Sequence, residues 1–358
     1  MSRKSTIFVG MSGGVDSSVA ALLLKKQGYN VVGVYMRSYN LDGCADGDAR
    51  DARRVAEALQ IPFYVWDFEE DYKKKVVDYF VGGYASGETP NPDVMCNKEI
   101  KFGLFLKKAL ILGADYIATG HYVRKKGSTL YQAKDLNKDQ SYFLWTLKQE
   151  EISHTLFPVG DYLKEEIRSF AKKAKLSVAN KKDSQGICFL GKVSMEDFLK
   201  TQLPEKRGFI IDRSGKKLGE HQGVHFYTIG QRHGLNLKEK NRFANTKGSE
   251  QTPPHYVVEK KHQENILIVS HKNDLSLGKR VIHLSHLNYH ASNQKEQSVL
   301  VRLRYRQPLS SAFLKITSPK KATITLNKEQ SFIAPGQSAV FYSSQGTLLG
   351  GGVIKAVV

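Results

Sequence analysis

A glycine- and serine-rich loop, Gly10-Met11-Ser12-Gly13-Gly14-Val15-Asp16-Ser17, separates a short apolar run, Ile7-Phe8-Val9, from a helical pattern that runs from Ser17 to Gln27 and stops at Gly28. Few folds accept such a loop at that place. Adjacent glycines let backbone amides approach an anion, Ser12, Ser17 and Ser18 add hydroxyl donors, and the helix N-terminus adds positive dipole. The loop lacks the lysine of a Walker A sequence, and its glycines are not spaced as in the dinucleotide fingerprint. It reads as an anion cradle on a strand-to-helix turn.

The pattern around it repeats. Val31 to Met36 reads as a strand, Asp48 to Leu59 as a helix, Phe63 to Trp66 as a strand and Tyr72 to Tyr84 as a helix. Between Asn97 and Leu112, Phe102, Phe105, Leu106 and Ala109 recur at helical spacing, and a strand, Tyr116 to Thr119, follows. This βαβα order predicts an α/β fold with a parallel sheet, helices on both faces and ligands at the carboxyl ends of the strands. From about 147 to 203 the pattern is helical, with Tyr162 to Ala174 the clearest element. After Pro204 come short strands and glycine turns, and the polar stretch Lys238 to Pro254 reads as an exposed loop. Beyond Ser276 the chain alternates on a period of two, with Val299, Val301, Leu303 and Tyr305 on one face and Leu300, Arg302 and Arg304 on the other. A small antiparallel barrel or sandwich is expected there. The predicted division is a nucleotide-binding catalytic domain over 1–203, a small central domain over 204–275 and a C-terminal β-barrel over 276–358, which suits a chain of 358 residues.

Charge bounds the partner. Against 54 Lys and Arg stand 35 Asp and Glu, a net charge of +19, and such an excess points to a polyanion, nucleic acid first. No apolar run approaches the roughly 18–20 residues of a spanning helix, and the N-terminus lacks a signal-peptide core, so a soluble, cytoplasmic protein is expected. Three cysteines, Cys44, Cys96 and Cys188, argue against a secreted disulfide framework and matter, if at all, through reactivity. Three thiols could hold an iron-sulfur cluster, but their spacing matches no common cluster or zinc pattern.

A second motif is Thr89-Pro90-Asn91-Pro92-Asp93-Val94-Met95-Cys96-Asn97. Two prolines stiffen the loop, and Asn97 reads as the N-cap of the following helix. Cys96 would then sit just ahead of a helix N-terminus, where the dipole lowers a thiol pKa. Taken alone Cys96 reads as a buried structural cysteine; beside Asn91 and Asp93 on one rigid loop it reads as a nucleophile. Cys188, in Lys182-Asp183-Ser184-Gln185-Gly186-Ile187-Cys188-Phe189, reads alone as a core cysteine.

Ser-Gly-Gly-Val-Asp-Ser in this setting resembles the pyrophosphate loop of the ATP-pyrophosphatase (PP-loop) superfamily, whose members cleave ATP between the α and β phosphates and adenylylate a carbonyl oxygen. Further motifs follow in order: the Asn91-Pro92-Asp93 loop with Cys96, Ala118 to Tyr122, Lys138 to Tyr142, Asp183 to Phe189, Phe226 to Arg232, Arg304 to Pro308 and Pro335 to Gln337. Together they make essentially the whole chain similar to the bacterial tRNA-specific 2-thiouridylases, the MnmA family.

That resemblance implies an ATP-dependent sulfurtransferase. ATP would adenylylate the C2 oxygen of the wobble uridine, and sulfur would replace that oxygen with release of AMP. It implies ATP contacts from Gly10, Met11, Ser12, Gly13, Gly14, Val15, Asp16, Ser17, Met36 and Gly120, with Mg2+ on the phosphates. Cys96 is the implied nucleophile and Cys188 the carrier of a persulfide from a sulfur-relay protein or cysteine desulfurase, the two ending as a disulfide. Asn91, Pro92 and Asp93 would meet the target base, Asp93 also serving as acid or base. His121, Lys138, Asp139, Gln140, Arg304, Tyr305 and Gln337 would contact the tRNA, the family's usual substrates being Lys, Glu and Gln tRNAs. One departure is the stretch Arg37 to Cys44, shorter and less acidic than the family's, which weakens any carry-over to that loop. The alternatives are another PP-loop enzyme, making 4-thiouridine or lysidine, and a non-catalytic RNA-binding protein.

Overall fold

The computed structural model describes residues 4–39, 41, 45–183, 186–187, 189–191, 193–237, 253–272, 274, 277–290 and 295–358. Cys44, Ser184, Gln185 and Cys188 lie outside the described residues, as does the stretch 238–252.

Strands β1 (Thr6–Gly10), β2 (Asn30–Arg37), β3 (Phe63–Asp67) and β4 (Tyr116–Ala118), a short hairpin β5 (Arg124–Lys126) and β6 (Thr129–Tyr131), and β7 (Thr155–Leu156) form the first domain. Its sheet runs β3-β2-β1-β4-β7, all parallel. Helix α1 (Val15–Lys26) connects β1 to β2 and α2 (Ala45–Ala58) connects β2 to β3. Because β1 is central and its neighbours leave in opposite directions, the cradle Gly10 to Ser17 lies at the switch point of the sheet, where ligands of open α/β sheets bind.

The helix bearing Cys96 begins earlier than the sequence pattern predicts. It starts at Pro92, Asn91 being its cap: the Asn91 side chain accepts from the Val94 N–H at 3.2 Å, and Pro92 occupies the first helical position. From Cys96 to Phe105 the turns widen to π-helical geometry before closing again over Leu106–Ile111. Cys96 is therefore one turn inside a helix, not ahead of one, and Asn97 caps nothing.

The central domain is a four-stranded sheet, ordered His255–Lys261, Ile266–His271, Gly208–Ile211, Lys217–His221. The C-terminal domain is a closed antiparallel barrel whose six strands run Lys279–Tyr289, Lys321–Gln330, Ser310–Ser318, Glu296–Arg302, Ser338–Tyr342 and Leu348–Val357. Val299 and Val301 fill its interior, as the period-two alternation requires. Its outer face does not simply meet water. Trp145 donates from Nε1 to Ser338 Oγ at 3.0 Å, the Tyr142 hydroxyl donates to Ser338 O at 3.0 Å, and Ser141 Oγ lies 3.0 Å from the Tyr342 hydroxyl. One apolar core thus runs from Phe105 through Tyr142 and Phe226 to Val340 and Tyr342. Among the described residues no helix is long and apolar enough to cross a membrane.

Candidate active site

The cradle is built by close backbone approach. Gly13 has φ +71°, and a methyl there would lie 2.3 Å from Asp48 O; one on Gly120 would lie 2.6 Å from Ser17 N. Glycine is required at both places, the first for conformation and contact, the second for contact alone. Gly10 faces the end of Met36, 2.9 Å from where its own Cβ would stand, so Met36 reaches the cradle from β2. Ser12 N–H donates to Ser17 Oγ at 3.1 Å, and the two hydroxyls lie 3.2 Å apart. Gly14 caps α1 without a side chain, leaving the first-turn amides available to an anion. Met11 and Val15 point into the core, so only their backbones can serve a ligand. Asp16 Oδ1 accepts from the Tyr122 hydroxyl at 2.7 Å and from Lys164 Nζ at 2.6 Å.

Gly120 closes on the cradle, and His121 packs against Phe102 of the helix that bears Cys96. Gly120 abuts Ser17; the His121 ring is buried, 2.8 Å through Nδ1 from Thr119 Oγ1 and 5.7 Å between centroids from Phe102. Burial holds His121 well below the ordinary histidine range, and the charge of Lys101 pushes the same way. The same Lys101 opposes burial at two other groups. Burial raises the Asp93 carboxyl and the Cys96 thiol, while Lys101 lowers both. The expectation of a dipole-activated thiol is corrected: Cys96 lies inside the helix rather than ahead of it, and burial raises its thiol. Lys101 was invisible to a 3.6-residue period. It follows Cys96 by 101 − 96 = 5 positions, which is one hydrogen-bonded turn of the wide helix Cys96–Phe105.

On the other side of Cys96, Tyr72 hydrogen-bonds the thiol. Tyr72 also packs edge-on against Phe189, with centroids 6.1 Å apart. The loop before Cys96 is held from the barrel: Thr89 N–H donates to Pro335 O at 2.8 Å, and Gln337 Nε2 donates to Thr89 O at 2.7 Å. Gln337 therefore braces the Asn91-Pro92-Asp93 loop. Pro90 completes the brace by packing on Gly83, where a methyl would come within 2.6 Å of Pro90 Cγ.

The Lys138-Asp139-Gln140 segment separates into different roles. Lys138 Nζ lies 2.8 Å from Asp183 Oδ2. Gln140 Oε1 accepts from Tyr122 N–H at 3.0 Å. Asp139 cannot meet RNA with its side chain, which is fully buried against Arg302 at 3.0 Å, so the expectation of a tRNA contact fails there. Arg302 and Arg304, on one face by spacing, have different surroundings: Arg302 is buried and ends its strand, whereas Arg304 is exposed and donates to Ile229 O at 3.1 Å. Arg304, Tyr305, Ile333, Ala334 and Gln337 line a cavity of about 310 Å3, and the Tyr305 ring packs at a tilt against Phe143, with centroids 4.4 Å apart.

Residues 5–192 match the family described as tRNA methyl transferase HUP domain, 196–271 the tRNA methyl transferase PRC-barrel domain and 279–354 the aminomethyltransferase beta-barrel domain. The tRNA-specific 2-thiouridylase MnmA of Streptococcus thermophilus is 42% identical over 98% of this chain and 95% of its own length. The chain belongs to the tRNA-specific 2-thiouridylase family. Other 2-thiouridylases lie as near: that of Bacillus cytotoxicus is 42% identical over 99% of this chain and 96% of its own, and that of Alkaliphilus oremlandii 41% identical over 99% and 98%. The 2-thiouridylase similarity spans all three domains, including the barrel that braces the Cys96 loop.

Proposed function

We propose that this chain is an ATP-dependent tRNA 2-thiouridylase of the cytoplasm, acting on the wobble uridine of Lys, Glu and Gln tRNAs. The observation that carries the reading is the Gly120–His121 pair, one residue pressed on the Ser17 backbone of the anion cradle and the next sharing the field of Lys101 with Asp93 and Cys96. Adjacent residues thus touch the proposed nucleotide site and feel the lysine that acts on the groups proposed for thiol chemistry.

The steps follow from the groups. The uridine O2 attacks the α phosphate of ATP, pyrophosphate leaves, and C2 now carries AMP as leaving group. The fit of a triphosphate is supported by Gly13, Gly120 and the open amides of α1. Mg2+ would rest mainly on phosphate oxygens and water, because Asp16, the acid of the cradle, is already engaged by Lys164 and Tyr122. Cys188 receives a persulfide from a relay protein or cysteine desulfurase. Cys96 thiolate attacks the inner sulfur of that persulfide, forming the Cys96–Cys188 disulfide and releasing hydrosulfide, which adds to C2 as AMP departs. Cellular thiols then reduce the disulfide. Support for a shared sulfur site comes from Tyr72, which binds the Cys96 thiol and packs on Phe189, the chain neighbour of Cys188. The raised Asp93 carboxyl suits a group that holds a proton near the base and gives it up during addition. Lys138, Gln140, Arg304, Tyr305 and Gln337 are assigned to the tRNA, with Asn91 and Pro92 at the target base, whereas His121, its ring buried, would meet the tRNA only through its backbone.

The test incubates the protein with unmodified tRNA, ATP, Mg2+ and a persulfide donor, and reads 2-thiouridine and AMP by mass spectrometry. Both products are expected, and Cys96→Ser or Cys188→Ser should abolish the first. Undiminished thiolation in both variants would overturn the two-cysteine route, and absence of AMP would overturn adenylylation.

A further inference from the structure

The cradle carries a carboxylate, Asp16, and no cation of its own, although its proposed ligand is a polyanion. A lysine distant in sequence answers this. Lys164 Nζ lies 2.6 Å from Asp16 Oδ1 and 2.9 Å from Asp183 Oδ1, with its side chain only 11% exposed. It is the first residue of the helix Lys164–Lys173, and its backbone N–H donates to Asp135 Oδ2 at 3.1 Å, which fixes where the side chain starts. The Tyr122 ring, 5.7 Å away, closes one side, and its hydroxyl donates to the same Asp16 oxygen.

Asp183 has two cationic partners besides Lys164, although Lys164 is one of the groups that, against burial, hold its carboxyl down, to about 2. Lys138 Nζ holds its Oδ2 at 2.8 Å and Arg168 Nη2 holds its Oδ1 at 2.8 Å. If Lys164 turned from Asp183 toward a phosphate, Asp183 would still hold Lys138 and Arg168, and Lys164 would stay beside Asp16. We propose that Lys164 is a phosphate-binding residue of the ATP site, contacting the pyrophosphate part of ATP and doing in this fold what a loop lysine does in Walker A sites. The proposal rests on the reading that ATP occupies Gly10 to Ser17.

The experiment is equilibrium titration of the full-length protein with ATP, inorganic pyrophosphate and AMP, using wild type, Lys164→Gln, Lys164→Arg and Asp183→Asn. Lys164→Gln should weaken ATP and pyrophosphate at least about tenfold while AMP shifts less than about twofold, and Lys164→Arg should keep most of the affinity. Asp183→Asn should leave pyrophosphate binding within about threefold of wild type, since Lys164 stays beside Asp16. Circular dichroism accompanies each variant, because Lys164→Gln strands the Asp16 charge. If that variant fails to fold, Lys164→Met with Asp16→Asn removes both charges and should still lose pyrophosphate. Unchanged pyrophosphate binding in a folded variant lacking Lys164 overturns the proposal, as does a parallel loss of AMP, which would mark a lysine that only shapes the loop. Should wild type bind neither ATP nor pyrophosphate, the failure belongs to the ATP reading itself.

Discussion

Arg302 reaches out of the barrel to donate from Nη1 to Oδ2 of Asp139 at 3.0 Å, joining the last domain to the first through two charges almost wholly removed from water. Asp139 is otherwise well served, accepting from Gln132 Nε2, Ala133 N–H and Ser141 N–H, each at 3.2 Å. Losing the guanidinium alone strands a buried carboxylate. Arg302→Met should destabilise the chain by about 3–5 kcal/mol, and adding Asp139→Asn should return most of it. Urea unfolding followed by tryptophan fluorescence checks this, since Trp145 lies at the same junction. Equal destabilisation in the single and double variants would show that the pair carries no such coupling.

Cys96 is raised by burial and lowered by Lys101. Alkylation of Cys96 at about pH 8 should therefore run slower than that of a free thiol with a pKa of about 8.5. Lys101→Gln should slow it further, and Lys101→Arg should restore it. Peptide mass spectrometry after timed iodoacetamide treatment reads the rate, and an unchanged rate in Lys101→Gln would remove Lys101 from the site.

His121 gives a pH dependence with a definite sign. Buried and held below its ordinary value, it stays neutral in the folded chain while the unfolded chain takes a proton near pH 6.5. Its contribution to stability is present above about pH 6.5 and is lost as pH falls below that value. The urea midpoint of wild type should fall between about pH 7 and about pH 5, and His121→Gln should make the fall shallower. His221, His225 and His290 are also lowered by burial, so the difference between variant and wild type is the quantity to measure.

Gly120→Ala puts a methyl 2.6 Å from Ser17 N, and the close atoms are all backbone of Asp16 and Ser17, which cannot swing aside as a side chain can. Overpacking of this kind costs about 1–3 kcal/mol, and here it displaces the first turn of α1. ATP affinity should drop, with the barrel and central domain unaffected, as read by nucleotide titration beside a thermal melt. Wild-type affinity in Gly120→Ala would mean that the cradle tolerates a shifted helix start.

The parallel sheet, the cradle and the closed barrel were legible because each depends on local pattern: strand and helix periods, a glycine pair between them, and the alternation of Val299 and Val301. Alternation says which side chains share a face, not what covers that face. The spacing sets Arg302 on the face opposite Val299 and Val301, and only the structure shows that Asp139 of the first domain covers it. Asn97 looked like a cap because the apolar spacing begins there, while the true start at Asn91 and Pro92 is marked only by turn chemistry. Lys101 was hidden by a helix that departs from the 3.6-residue period. Lys164 was hidden by distance, standing 148 positions from the aspartate it binds. No short window contains both.

Ser338 receives the indole N–H of Trp145 across 193 positions, and through its carbonyl the Tyr142 hydroxyl across 196. During synthesis the first domain leaves the ribosome with these aromatic groups still lacking their partners. Roughly ten to forty seconds of further elongation, at ordinary bacterial speed, separates the two events. The segment bearing Tyr142 and Trp145 is a surface in the growing chain and becomes interior only when the barrel closes on it. A chaperone that shields apolar surface would find its longest opportunity there, and a truncated message would yield a sheet and a cradle without a finished enzyme.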